Sequence, residues 1–375
     1  MLSESTRMTT IIIGAGASGL ACAIRLKMNN QQNDVIILER LNQVGKKLLA
    51  TGNGRCNLTN TASEYYDTVK EFFSSVGLMM RADDEGRVYP YSNQASTVVE
   101  ILEEKCRALG IEIITDCSVY GIDDDLTVES SNGIFMADNV VIATGGKAQK
   151  SLGSDGSGYN ILKKLGHTIT PLSPALVQLI SSSKYPRALK GSRVKCNMTI
   201  ELDDEIAGSE YGEVLFADYG LSGIVTMNLS EIVGRNFTEN EPKKCRAVLD
   251  LIPEMSRESL KSYLEKFKSL RGILGTKLAD IIEKQAEGSI DKMIACAKSW
   301  KLIITGTKGY DFAQITSGGA ELNEFDGFES KLVKGLYVCG EVLDKQFECG
   351  GFNLSFAWYS GITAADNICK KYTTR

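Results

Sequence analysis

Histidine is almost missing from this sequence, which has one, His167, in 375 residues. A His-rich metal site is thereby excluded, and only one Ser–His or Cys–His pair can be built. The ten cysteines (22, 56, 106, 117, 196, 245, 296, 339, 349 and 369) contain no C-x-x-C pair. Their spacing matches neither a zinc site nor a disulfide framework, so they read as scattered, reduced, mostly buried thiols. No apolar run comes near the roughly 18–20 residues a membrane-spanning helix needs. A long basic block is also lacking, and the formal charge is −5. That argues against a general nucleic-acid-binding face. Residues 11–24 are apolar and small, like a signal-peptide core, but only Arg7 precedes them and a glycine fingerprint interrupts them. They read as a buried strand and helix, with Met1–Arg7 a short disordered lead.

Glycine is abundant instead. There are 36, clustered at 14–19, 45–54, 145–158, 306–319 and 335–351, against six prolines. Such clusters mark backbone that must approach something closely. The chain is long enough for two or three domains with a large core.

Thr9–Ile13 reads as a strand, Leu20–Asn29 as a helix and Asp34–Leu38 as a second strand, forming one β-α-β unit. The short apolar runs suit a parallel sheet covered on both faces. Helices are expected at Glu64–Ser75, Ala95–Leu109 and Gly156–Leu165. Strands are expected at Ile111–Thr115, Asn139–Ala143 and Gly335–Cys339, and an antiparallel meander at 118–136. From Val177 to Leu251 short alternating runs predict a mostly β module. From Ser256 to Trp300 the period is helical. A closing helix is expected at Asn353–Lys370. The fold class is α/β. A Rossmann-like dinucleotide-binding domain is built from 1–175 and 312–375. An inserted mostly-β domain spans 176–252 and 300–311, with a small helical subdomain at 253–299.

The sequence Gly14-Ala-Gly16-Ala17-Ser18-Gly19 follows the first strand. Gly14 permits the tight turn, Gly16 lets a pyrophosphate approach the backbone, and Gly19 lets the helix pack on the sheet. The helix start at Ala17 and Ser18 supplies free N–H groups to phosphates. Glu39 stands 20 residues beyond Gly19, where a carboxylate hydrogen-bonds adenosine ribose hydroxyls and repels a 2′-phosphate. NADP is therefore not the expected resident nucleotide. Two later segments, Thr144-Gly145-Gly146 and Gly340-Glu341, have the form that closes over non-covalent FAD. No second G-x-G-x-x-G occurs, so NADH or NADPH would dock only transiently.

The loop at 45–60 can lie against pyrophosphate and flavin through its glycines and asparagines, Asn53 and Gly54 among them. Lys46, Lys47 and Arg55 can offset phosphate charge, or the lysines are simply a solvated pair. Cys56 either approaches the isoalloxazine or is a small buried hydrophobe. Gly351-Phe352-Asn353-Leu354 opens the closing helix, whose N-terminus can stabilise reduced flavin, with Asn353 as its N-cap. Arg40 and Val119 complete the residues assigned to the cofactor. His167 is expected to meet last-turn carbonyls at a helix end. Tyr89, Tyr91, Tyr219 and Tyr310 are proton-donor candidates or packing residues. No catalytic residue and no metal ligand is assigned.

Residues 45–60, Gly-Arg-Val-Tyr-Pro at 86–90, Gly-Leu-Ser-Gly at 220–223 and the stretch 335–354 resemble the BaiN-type, aminoacetone-oxidase-type flavoproteins. Phe352 and Ser355 stand where that family commonly carries Tyr and Gln. The resemblance implies an FAD domain, an inserted β domain and a helical domain. The activity expected is an FAD-dependent oxidoreductase moving hydride through flavin N5 to or from a small organic substrate. An NAD(P)H-dependent reductase, for example of an unsaturated ketone, leads. A peroxide-producing amine oxidase and an FAD–folate RNA methyltransferase are the alternatives. The expected setting is cytoplasmic, monomeric or homodimeric, with no membrane and no nucleic-acid partner.

Overall fold

The computed structural model describes residues 7–373. The lead expected at 1–7 lies outside them apart from Arg7, which pairs with Asp34. The chain forms two compact units, one of residues up to Leu172 and from Thr316 onward, the other Ser173–Ile315.

The first unit is built on five parallel strands: β1 (Thr9–Ile13), β2 (Asp34–Leu38), β3 (Glu112–Ile114), β4 (Asn139–Ile142) and β5 (Leu336–Val338). Their order across the sheet is β5-β4-β1-β2-β3. A short antiparallel ribbon, Phe325–Asp326 and Glu329–Ser330, extends the β5 edge. Ile11, Ile12, Val140, Val141, Ile142, Leu336 and Val338 are fully buried. Their branched side chains fill both faces of the sheet. The meander at Val119–Ile122, Thr127–Ser130 and Gly133–Met136 forms a separate antiparallel sheet.

Helix α1 (Ala17–Asn29) follows β1, and helix α2 (Lys46–Ala50) follows β2. The closing helix α3 runs Phe352–Thr373. Almost every side chain of α1 from Ser18 to Lys27 is buried, because the sheet covers one side and α3 the other. The two helices touch through backbone. A Cβ at Gly361 would overlap the Ser18 carbonyl oxygen.

The second unit is a closed six-stranded antiparallel barrel with strands Leu179–Ser181, Arg193–Leu202, Glu205–Phe216, Gly220–Ser222, Cys245–Asp250 and Trp300–Thr307. Arg257–Phe267, Thr276–Ala286 and Ile290–Lys298 are helices, in the segment read as helical. They do not have a core of their own. Leu260, Leu264, Leu278 and Ile282 share one cluster with Met198, Ile200, Ala247 and Leu249 of the barrel. The stretch read as mostly β also contains a 15-residue helix, Ile224–Thr238.

Replacing Gly361 with Val forces a side chain into a rigid carbonyl. We expect it to lower unfolding stability by roughly 1–3 kcal/mol, the usual range for overpacking. An unchanged urea midpoint would contradict the close helix contact.

Candidate functional site

β1 ends in a turn that only glycine can make. Gly14 has φ of +105°, and a Cβ there would lie 2.6 Å from the Ala143 carbonyl oxygen. A Cβ at Gly19 would overlap the Gly14 carbonyl. Gly16 differs, since a Cβ there would meet nothing within 4 Å. It borders open space at the start of α1. The first helical bond runs from Leu20 N–H to Gly16 O at 3.0 Å, and no side chain caps the helix. The amides of Ala17, Ser18 and Gly19 thus precede the first internal helical bond.

Glu39 directly follows β2 beside this turn. Its Oε2 accepts the Ala15 N–H and its Oε1 the Leu41 N–H, both at 2.8 Å. Arg40 donates to the Gly153 carbonyl at 3.0 Å and lies 3.5 Å from Asp155 Oδ2. Burial opposes ionisation of Asp155, but hydrogen bonds from Ser157 and the Arg40 charge outweigh it and hold the carboxyl below its ordinary range. Val119 is half-buried in the meander, opposite Ser130.

The 45–60 loop crosses the same end of the sheet. Gly52, Asn53, Gly54 and Cys56 all have positive φ, so the chain coils tightly after α2. Asn53 and Gly54 are exposed, and Arg55 lies 4.5 Å over the Tyr89 ring. Cys56 is fully buried, and burial pushes its thiol up to about 11. Lys46 is half-buried. Lys47 is paired: its Nζ donates to Glu341 Oε2 at 2.9 Å. The other carboxylate oxygen of Glu341 accepts the Thr316 N–H, also at 2.9 Å. Gly145, at φ +70°, would bring a Cβ 3.0 Å from Ser154 Oγ.

Helix α3 begins one residue earlier than expected. Ser355 N–H donates to Gly351 O at 3.0 Å, so Asn353 lies inside the first turn. Asn353 is therefore not the N-cap. Its Oδ1 accepts the Phe347 N–H at 3.0 Å and its Nδ2 donates to the Phe347 carbonyl at 2.8 Å, a clamp on the 345–351 strap. The same strap is pinned by Lys345, which donates to Tyr65 Oη at 2.6 Å and sits among the Tyr65, Phe347 and Phe356 rings. Phe352 and Leu354 are half-buried. Gly351 has φ of +103°, and a Cβ would lie 2.6 Å from the Thr59 carbonyl and 2.8 Å from Asn57 Oδ1. Asn57 Oδ1 is buried without a hydrogen-bond partner. Asn57 is one of the asparagines of the 45–60 loop. The hydroxyls of Thr59 and Ser355 form a buried pair at 2.7 Å.

His167 does not take its expected place at a helix end. Its buried ring does not meet last-turn carbonyls. Nδ1 lies 2.7 Å from Glu324 Oε2, Nε2 lies 2.9 Å from Ser330 Oγ, and the ring stacks on Phe325. These contacts tie the edge ribbon to the unit. Tyr89 is buried under Arg55, and Tyr91 is exposed. Tyr219 and Tyr310 belong to the other unit, where burial raises the Tyr310 phenol. Among the described residues no group of three or more His, Cys, Asp or Glu could hold a metal. No helix among them is long and apolar enough to cross a membrane.

Three features fit FAD. The opening at Gly16 adjoins the first-turn amides, which suits a pyrophosphate. Glu39 places a carboxylate beside the turn after β1, which suits ribose hydroxyls. The orphaned Asn57 oxygen, an acceptor beside the start of α3, suits an N–H or O–H donor.

A buried thiol at about 11 is almost wholly protonated near neutrality, and the thiolate is the nucleophile. Cys56 is expected to stay unalkylated in folded protein at pH 8 and to react on unfolding. Peptide mapping after iodoacetamide checks this, and rapid native labelling of Cys56 would contradict it.

The family described as HI0933-like protein Rossmann domain matches residues 8–71 and 64–367. A 3-dehydro-bile acid delta(4,6)-reductase from Clostridium scindens is 35% identical over 94% of this chain and 97% of its own length. Ribosomal RNA dihydrouridine synthases from Haemophilus influenzae and Escherichia coli are each 26% identical over 96% of this chain and 98% of their own. Among solved structures, a 3-ketosteroid delta1-dehydrogenase from Sterolibacterium denitrificans gives a TM-score of 0.55 at 10% identity, covering 97% of this chain and 100% of that one. A flavocytochrome c3 fumarate reductase gives 0.54 at 13%, covering 99% and 79%. These two likenesses are of fold. The family match and the 35% identity make this chain a member of the HI0933-like family and an FAD-dependent oxidoreductase.

Proposed function

We propose that the protein is an NAD(P)H-dependent reductase of carbon–carbon double bonds conjugated to a carbonyl, with non-covalent FAD as its resident cofactor. The observation that carries this is the 35% identity, end to end, to a 3-dehydro-bile acid delta(4,6)-reductase. A 3-oxo-4,6-diene is such a conjugated system. One hydride at an electron-poor carbon and one proton reduce one double bond of such a system, so a diene takes two rounds, each with its own reducing equivalent from a nicotinamide. The chemistry FAD supplies when bound is hydride transfer through N5.

The chain's own residues would bind and orient. Ala17, Ser18 and Gly19 would donate their amides to the pyrophosphate across the open Gly16, supported by the N-terminal field of α1. Glu39 would receive ribose hydroxyls while its oxygens keep the Ala15 and Leu41 N–H groups. Asn57 and the start of α3 at Gly351 would face the flavin. Arg40, Asn53, Gly54, Arg55, Val119 and Gly145 would line the rest. Ten free cysteines support work in a reducing, cytoplasmic compartment.

A second reading has its own support. Two relatives of 26% identity are named as ribosomal RNA dihydrouridine synthases. Dihydrouridine is uridine reduced across C5–C6, a double bond also conjugated to a carbonyl. The chemistry is shared, and the readings differ only in what presents it. The net charge of −5 favours the small molecule over RNA.

Anaerobic stopped-flow mixing with NADH and NADPH, then with a 3-oxo-4-ene steroid, unmodified ribosomal RNA or air, separates the readings. We expect fast bleaching by a nicotinamide, fast recolouring by the enone and slow recolouring by air. Recolouring by RNA alone would favour the second reading. Bleaching only by an amine, with fast recolouring in air, would contradict both and indicate an oxidase.

Glu39→Gln is expected to weaken FAD by roughly ten- to a hundredfold, the worth of a hydrogen bond to a charged group. Cys56→Ser is expected to change it far less. Fluorescence titration checks this, and the opposite ranking would misplace the ribose.

A further inference from the structure

Thr316 lies at the cofactor end of the first unit, although no sequence motif marks it. It is the first residue of that unit after the chain leaves 173–315, and it is fully buried. Its Oγ1 accepts two backbone N–H groups, from Lys147 at 2.7 Å and Ala148 at 3.1 Å. Its own N–H donates to Glu341 Oε1 at 2.9 Å. The second oxygen of Glu341 holds Lys47 Nζ, also at 2.9 Å. Four segments distant in sequence therefore meet at one threonine and one glutamate: α2, the turn after β4, the returning chain and the turn after β5. Space at the junction is closed. A Cβ at Gly146 would lie 2.5 Å from both Glu341 Oε1 and Thr316 Oγ1.

Glu341, in the Gly340-Glu341 segment expected to close over FAD, has protein partners on both oxygens. We propose that Thr316 is a positioning residue for the cofactor. Its hydroxyl holds the turn that follows Gly145–Gly146 directly, and through Glu341 it holds Lys47, in the arrangement that receives FAD. The proposal rests on the reading that FAD occupies this end of the sheet.

Valine at 316 keeps shape and N–H but removes the acceptor shared by two amides. Serine keeps the acceptor. FAD affinity is measured by equilibrium dialysis of the purified holoprotein, and the visible circular dichroism of bound flavin is recorded at saturating FAD. Thr316→Val is expected to weaken FAD by roughly tenfold or more and to change the visible dichroism. Thr316→Ser is expected to restore both. Lys47→Met tests the same network from the surface side. It is expected to weaken FAD in the wild-type background and to add less than about twofold once Glu341→Gln is present, because coupled residues are not additive. Wild-type affinity and dichroism in Thr316→Val, or full additivity of Lys47→Met with Glu341→Gln, would overturn the proposal. If Thr316→Val does not fold, the Lys47 and Glu341 pair decides alone. A wild-type protein that binds no FAD would instead overturn the underlying reading.

Discussion

The site depends on how closely α1 approaches its neighbours. Its first turn meets the Gly14 carbonyl through Gly19, α3 through Gly361, and the turn after β5 through Gly340, where a Cβ would lie 2.5 Å from Ser18 Oγ. At each contact a side chain would separate the elements. Only at Gly16 does the same helix end open on empty space. A helix start closed on several sides and open on one keeps its amides for whatever enters. Close packing is thus set by Gly14, Gly19, Gly340 and Gly361, and the opening by Gly16.

Around that opening, charged and polar side chains serve mainly as connectors. Asn353 clamps the strap before α3, Lys345 pins it in an aromatic box, and Glu341 with Thr316 joins segments that enclose the Gly146 turn. His167 is spent on Glu324 and Ser330 at the sheet edge. Few protonatable groups then remain as candidates for chemistry, which suits an enzyme whose cofactor carries the reactive atoms.

The Rossmann unit was legible because its signals are local. Apolar runs at Ile11–Ile13 and Asp34–Leu38 gave strands, and fixed glycine spacing gave the turn. What stayed hidden depends on distant partners. Ile224–Thr238 falls inside the stretch read as mostly β from its short alternating runs, yet Val225, Leu229, Val233 and Gly234 are buried at helical spacing. Barrel closure needs Leu179 beside Thr307, a pairing that no local pattern announces. Asn353 looked like a cap because helix starts favour asparagine, but a strap five to six residues away claimed its amide. Thr316 carries no motif, and only the meeting of far segments reveals it; Asn57 lies in the 45–60 motif, but its unpartnered buried oxygen shows only in the fold.

Whether the open end of α1 holds FAD is tested most directly by identifying the chromophore of the purified protein. Heat release followed by chromatography should yield about one FAD per chain, with none left attached to the polypeptide. FMN, a nicotinamide dinucleotide, or no nucleotide in the supernatant would contradict an FAD site there.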